Sequence, residues 1–341
     1  MNRDATAQWV EIAGQQFLLR DVTPTDRDAV LTLHHEVFGT KVDASWYDWK
    51  YRRGGGEAAG LWLGDRLVAH CAGTPRQVLH QGRLRQDLQI GDVMVAPQWR
   101  GVLTRRSPFF RVSKHFYDSR LGADKDHEVG FGFPNERHLR LAVKMGLSWD
   151  GGPMESLQWD GNMLKQTKLP WHWRLEALDP AAPGFERLAD SCWQAMRSSR
   201  ELDGFSAGVR DAAYLRWRFV ERPDRRYQFW ALRRPWSRQA TGLLVLDDAA
   251  NPGSWRLWLD WIGPPGLLPL ACQASRIAAA GQGAAGLTAW ASPALSSALE
   301  SSGITGRCTA AVLGIPHASD LAPVDVPKLH WWFMAGDTDF L

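Results

Sequence analysis

The residues best suited to chemistry lie in Asp92-Val93-Met94-Val95-Ala96-Pro97-Gln98-Trp99-Arg100-Gly101 and in Ser107-Pro108 just beyond. A strand that stops at proline and passes through Arg-Gly into a helix presents free backbone N–H groups at the helix N-terminus, which is an anion site. Ser107 suits the N-cap and Pro108 the first helical position. Arg100, Arg105 and Arg106 crowd the same loop, and forked guanidinium groups match phosphate oxygens. A diphosphate fits this pattern. A solvated basic loop capping a surface helix fits it equally, and the motif alone does not separate the two.

Several elements must position that loop. Residues 17–22 read as a strand, and Thr23-Pro24-Thr25-Asp26 supply cap-type residues before a helix to Phe38. Gly64-Asp65 and Gln81-Gly82 are two-residue hairpin turns between apolar runs. Residues 90–95 form a strand ending at Ala96-Pro97, and a helix follows from about Ser107 to Tyr117. A strand over 128–133 precedes a helix that opens at Pro134-Asn135 and stops at Gly146. The order predicts an α+β or α/β domain over residues 1–155.

Residues 156–184 carry Pro170, Pro180 and Pro183 and read as a linker to a second domain, 185–341. That half echoes the first. Trp49 and Trp217 are 168 residues apart, and so are Asp92 and Asp260, each in mid-strand. Pro134-Asn135 and Gly146 have analogues in Ser292-Pro293 and Gly303. Three anchors in one order predict a duplicated fold. The second copy runs through Gly263-Pro264-Pro265-Gly266 into a helix over 267–280, with no basic residue before Arg276.

Composition narrows the classes. Of 341 residues, 45% are hydrophobic and 23% charged, which excludes disorder and collagen and allows a sizeable core. Lys and Arg total 40 against 37 Asp and Glu, so no non-specific hold on nucleic acid or anionic lipid is expected. The 19 Trp are read chiefly as core and interface filling. The four cysteines are scattered without a C-x-x-C pair, and no apolar run reaches the ~18 residues of a membrane helix. With no apolar signal core near the N-terminus, a cytoplasmic protein without a membrane or specific nucleic-acid partner is expected. His34-His35-Glu36 lacks the H-E-x-x-H spacing and falls on a helix with an apolar face, so no metal is expected.

Val95-Ala96-Pro97-Gln98-Trp99-Arg100-Gly101 resembles the first part of the donor-binding motif of the GNAT acyltransferase superfamily. Gly130-Phe131-Gly132-Phe133-Pro134-Asn135 through Gly146-Leu147 resembles the second part. The resemblance covers about residues 17–150 well and 185–315 loosely. It implies two GNAT-like domains, each a mixed, mostly antiparallel sheet flanked by helices, the second a degenerate copy expected to have lost donor binding. It implies acetyl-coenzyme A or another acyl-coenzyme A as co-substrate, its diphosphate on the amides of the loop. Met94, Val95, Arg100, Gly101, Arg105, Arg106, Ser107 and Asn135 are then the expected donor contacts, with an N–H at about Met94 to Val95 facing the thioester oxygen. The sequence departs from the pattern twice. Leu103 and Arg105 stand where glycines are usual, and Ala142 stands near the place of the usual Tyr on the last helix.

Direct attack by an amine on a thioester needs a proton acceptor. Asp92 is the first expectation, because a carboxylate mid-strand among apolar residues is otherwise costly. A structural carboxylate satisfied by neighbours is the competing reading. His70 on the strand over 67–72 and His138 on the last helix are further candidates, each also readable as a satisfied core histidine. The expected activity is N-acyl, chiefly acetyl, transfer to a small-molecule, amino-sugar or peptide amine. The alternatives are an aminoacyl-tRNA-dependent transferase, which also resembles tandem GNAT-like domains, and a non-catalytic sensor or scaffold.

Overall fold

The computed structural model describes residues 7–101, 104–237, 239–248, 251, 253–319, 330–338 and 340–341. In chain order the elements begin with β1 (Gln8–Ile12), β2 (Gln15–Asp21), α1 (Arg27–Phe38), α2 (Ala44–Tyr47), β3 (Glu57–Leu63), β4 (Arg66–His80) and β5 (Arg83–Val95). Then come α3 (Pro108–Arg120), β6 (Gly130–Gly132), α4 (Glu136–Met145), β7 (Ser148–Asp160), α5 (Gly161–Gln166), β8 (Arg174–Leu178), α6 (Phe185–Arg197) and β9 (Ser206–Gly208). The series ends with α7 (Ala212–Leu215), β10 (Tyr227–Arg233), β11 (Ala240–Asp247), β12 (Trp255–Ile262), α8 (Leu268–Gly281), β13 (Gly286–Ala291), α9 (Pro293–Ala298), β14 (Gly306–Pro316) and β15 (Trp331–Trp332). No helix among the described residues is long and apolar enough to cross a membrane.

Two compact units result, and they exchange segments. The first gathers the described residues within Met1–Arg76, Gln86–Gly152 and Val312–Lys328; the second gathers Gln77–Arg85, Pro153–Ala311 and Leu329–Leu341. The contiguous blocks 1–155 and 185–341 are therefore corrected. So is the linker 156–184: its residues supply the end of β7, all of α5 and the edge strand β8, and β7 pairs with β13 from Glu155 to Asp160. Prolines misled there because Pro170, Pro180 and Pro183 flank β8 rather than interrupt it. The tip of the β4–β5 hairpin pairs with β9 in the second unit, Val78 with Gly208 and His80 with Ser206. Its turn, Gln81-Gly82, holds positive φ at both residues (48° and 76°), which a tight two-residue hairpin turn requires.

In the first unit β1 to β5 are hydrogen-bonded in sequence order, with β6 joined parallel to β5 and the end of β14 paired with β6. Its core places Phe17, Leu19, Val68 and Leu88 under α3 and α4, through Val112, Phe116 and Met145. In the second unit the order is β13-β12-β11-β10-β8, around Trp159, Trp193, Trp258 and Trp261. More than half of the tryptophans are buried as fillers, as expected, while Trp9, Trp171, Trp236 and Trp255 are exposed.

The duplication extends into local detail. Asp43 and Asp211, again 168 residues apart, each cap a short helix (α2, α7) with the side-chain carboxylate. Each helix then widens into a π-helical turn, Asp48–Arg53 in one unit and Arg216–Val220 in the other. Gly146 ends α4, and Gly303 ends the 3-10 turn Glu300–Ser302 that follows α9, both in left-handed conformations.

Gly242 on β11 lies against the indole of Trp261, where a Cβ would overlap the ring. Gly242→Ala should cost about 1–3 kcal/mol by overpacking. Denaturant unfolding of the variant should show an earlier transition; an unshifted one would mean that the ring has room to move.

Candidate functional site

β5 and β6 run parallel and paired from Leu88/Gly130 to Ile90/Gly132, and there the pairing ends. Among the described residues no strand pairs with β5 on that side from there to Val95. Two residues beyond Ile90 on β5 stands Asp92, whose φ of 48° is left-handed, a conformation that costs a non-glycine residue on the order of 1–3 kcal/mol. Before it, the Leu88 N–H points to β6, bonding Val129 O. After it, the Ala96 N–H points the other way, to Val68 O on β4. Both positions are even-numbered, so strand alternation has slipped by one residue at this bulge. Alternation back from Ala96 turns the N–H groups of Val93 and Val95 towards the open side. Gly91, Asp92, Val93 and Val95 keep partial exposure there. An unpaired strand edge with two aligned amides can hold an extended ligand arm or an oxyanion.

Three partners hold the bulge. Lys50 Nζ donates to Asp92 Oδ1 at 2.9 Å and Tyr51 Oη donates to Oδ2 at 2.6 Å. The His70 ring nitrogen Nδ1 lies 2.8 Å from the Asp92 carbonyl, so it carries the proton and donates. Burial alone would raise the Asp92 carboxyl, but the Lys50 ammonium, with hydrogen bonds from Lys50 and Tyr51, holds it below the usual carboxylate range. Burial lowers His70 and His34, keeping both neutral at pH 7. Around this polar group stands an aromatic wall: Tyr47 stacks on Tyr51 at 4.7 Å, and Trp46 lies 5.0 Å from His34 and 5.3 Å from Lys50 Nζ.

Of the three expected catalytic residues, the fold brings Asp92 and His70 together. The Asp92 side chain keeps 10% exposure at the open edge, whereas His70 is fully enclosed. His138 lies on α4, edge-on to Phe109 of α3 at 4.9 Å, and burial lowers it. Among the expected donor contacts, Met94 is wholly buried, and its backbone falls on the β4 side of the strand. Arg100 folds back on its own strand: Nε donates to Val95 O at 2.9 Å and Nη2 lies 3.5 Å from Val37 O. Gly101 is exposed with open space around it; Val102 and Leu103 lie outside the described residues. Arg105 reaches the C-terminal end of α4 beside Gly146, and Arg106 is exposed. Ser107 caps α3, accepting from Phe110 N–H, and Asn135 caps α4, accepting from His138 N–H. Ala142 packs in the core. Among the described residues no group of three or more His, Cys, Asp or Glu is placed to hold a metal ion.

Lys50 and Tyr51 escaped the sequence reading, and His34 was weighed there only as a metal ligand. Lys50 and Tyr51 belong to the aromatic run read only as a repeat marker. Neighbouring residues on an ordinary helix point about 100° apart, and nothing in the sequence announces the π-helical turn that aims both at one carboxylate. The faint signal was a cation and a phenol beside Trp49, itself the anchor of the duplication.

Residues 19–117 match the family model described as an acetyltransferase (GNAT) domain. Among solved structures, a probable N-acyltransferase of Enterococcus faecalis is similar, with a TM-score of 0.63 and 13% identity over 88% of this chain and 71% of that one. Saccharomyces cerevisiae N-myristoyltransferase with bound myristoyl-coenzyme A gives 0.56 at 11% identity, over 92% of this chain and 85% of that one. A tandem GNAT protein from the clavulanic acid biosynthesis pathway gives 0.54 at 12% identity, over 88% and 98%. At these identities the likeness is one of fold. No curated protein matches the chain in sequence.

The Lys50–Asp92 pair sets a pH signature. A depressed carboxyl adds stability above its unfolded value of about 3.9, and that stability is lost as pH falls through the lower folded value. Lys50→Met reverses the sign, because the enclosed carboxylate then prefers its proton. The variant should lose about 3–5 kcal/mol at pH 7 and recover part of it at pH 5. Denaturant unfolding at both values reads this; an equal loss at each pH would mean that the ammonium is not what keeps Asp92 charged.

Proposed function

Taking as premise that the chain carries a GNAT acetyltransferase domain on a tandem GNAT fold, we propose that the first unit transfers an acyl group from acyl-coenzyme A to an amine. The single observation that carries this reading is the open edge of β5. Its two alternate amides, those of Val93 and Val95, are turned outward by the Asp92 bulge beside an ionised carboxylate. Acetyl is the simplest acyl group for it, and a small-molecule, amino-sugar or peptide amine the acceptor class.

In this reading the pantetheine arm lies along β5, and the thioester oxygen takes an N–H of Val95 or Val93. The amine nitrogen bonds to the thioester carbon, and the tetrahedral adduct carries a positive nitrogen and a negative oxygen. Asp92 takes the proton from that nitrogen. The C–S bond then breaks, the oxygen reforms its double bond, and the departing thiolate takes up a proton. His70 positions the bulge through the Asp92 carbonyl. The diphosphate falls to the N-terminal end of α3 with Arg105 and Arg106, while Arg100, already tied to Val95 O, braces the loop. A cytoplasmic setting agrees with this chemistry. The aminoacyl-tRNA alternative lacks a supporting observation, and a bare scaffold would not need a strained, solvent-reaching Asp92.

Two experiments test the halves of the proposal. Arg105→Ala and Arg106→Ala should each weaken coenzyme A binding by about 1.5–3 kcal/mol, read by calorimetry, with Arg100→Ala acting mainly on stability. Unchanged affinity in both would remove the loop from the donor site. Asp92→Asn keeps the shape and should cut the acylation rate roughly a hundredfold or more with donor affinity retained. A folded Asp92→Asn enzyme turning over at the parental rate would assign the proton to solvent.

A further inference from the structure

The second unit has the same opening in its sheet. β12 and β13 run parallel and paired from Trp255/Gly286 to Trp258/Ala289, yet β12 continues to Ile262. Its pairing with β11 shifts register between Val245/Asp260 and Leu246/Trp258, a bulge beside Asp260 as in the first unit beside Asp92. In the first unit the strand beyond the bulge is partly exposed, but Leu259 to Gly263 are all buried.

What buries them is the chain itself. Met334 bridges to Ala291 at the end of β13, and Ser292 N–H donates to Phe333 O at 3.0 Å. Ser292 Oγ donates to Trp331 O at 2.6 Å. On the opposite side, Gly336 meets β12: a Cβ there would sit 2.9 Å from Leu259 O and 3.3 Å from Asp260 Cβ. Phe333, Met334, Ala335 and Asp337 are essentially without solvent contact. The amide matching Val93 by the 168-residue offset is that of Trp261, and it donates to Asp260 Oδ1 at 2.9 Å instead of facing an open edge.

A buried guanidinium ties the two sides. Arg210 Nε donates to Asp260 Oδ1 on β12 at 2.9 Å, and its Nη2 donates to Asp337 Oδ2 at 2.6 Å. All three side chains are fully enclosed. Asp337 Oδ2 also accepts from Met334 N–H, folding the segment into the turn that fills the gap. The Arg218 Nε–H is shared between the carbonyls of Gly336 and Thr338.

We propose that residues Trp331–Thr338 stand as a built-in occupant of the second unit's donor slot, latched to β12 by the Arg210 bridge between Asp260 and Asp337. The identification of the slot rests on the reading of the β5 edge as the donor site in the first unit; the occupancy does not. The second unit is thus closed by a segment that supplies its own hydrogen bonds, as well as by Pro264-Pro265, which remove two amides from the following turn. One acyl donor per chain follows.

Hydrogen–deuterium exchange of the full chain tests the occupant directly. Amides of 333–337 and of Leu259–Ile262 should be protected to the level of β11, unchanged by saturating coenzyme A. Gly336→Leu, which cannot approach Leu259 O, should lower protection of both stretches at least tenfold together while leaving β5 unaffected. Exchange of 333–337 at the rate of a frayed end in the parent chain would overturn the proposal. So would loss of their protection on adding coenzyme A, or a variant that frees 333–337 while Leu259–Ile262 stay protected. The parent chain carries the first two readouts should Gly336→Leu not fold. A failure of coenzyme A to bind at all would strike the donor reading and leave the exchange result standing.

Discussion

One residue in a left-handed backbone conformation, Asp92, is the constraint on which the site depends. An aspartate in a strand loses energy in that conformation and keeps it only where its surroundings repay the strain. Here the carboxylate takes Lys50 and Tyr51, and the carbonyl takes His70. The bulge turns Val93 and Val95 to the open edge. Pairing with β6 stops at Gly132, just before Pro134, and beyond it the slipped alternation decides which amides face the gap. The carboxylate therefore shapes the slot whether or not it also moves a proton.

The same frame in the second unit shows how little must change to alter its fate. At the 168-residue offset Lys50 becomes Arg218 and Tyr51 becomes Phe219. Phe219 has no hydroxyl to give Asp260. Arg218 spends its fork on the carbonyls of Gly336, Thr338 and Leu341. Asp260 takes the Trp261 N–H and the side chain of Arg210, which it shares with Asp337. Even with that partner, burial raises its carboxyl to about 6. Two carboxylates around one guanidinium in a closed interior suit a fixed joint better than a reacting centre.

How much of this the sequence disclosed follows from the range of each interaction. Helices α1, α3 and α4 and the two hairpin turns rest on local periodicity, caps and glycines, and they stand close to where those signals put them. Asp92 was visible because a carboxylate among Ile90, Val93 and Val95 needs a reason. Lys50 and Tyr51 were not, since they act across 42 and 41 residues through a π-helical turn. Asn135 shows a local role instead: the resemblance offers it to the donor, and its side-chain oxygen also caps α4, as a helix start at Pro134-Asn135 leads one to expect. The segment exchange was beyond local reading altogether. Nothing in Gln77–Arg85 or Val312–Pro316 distinguishes a strand that serves its own half from one that serves the other.

Lys50 also bears on whether so acidic a carboxylate can serve the proposed reaction. A general base for a free ammonium ion would need a value near neutrality. The proton at issue, however, belongs to nitrogen already bonded to the thioester carbon, where it is far more acidic than on the free amine. Asp92 need hold it only until sulfur leaves. Once it is neutralised, Lys50 is left enclosed with an unbalanced charge, at 4% exposure, and that arrangement favours releasing the proton again. The ion pair that makes Asp92 a weak base thus makes it a prompt donor to the thiolate. The Tyr51 hydroxyl on the second oxygen keeps the carboxylate in one orientation for both transfers.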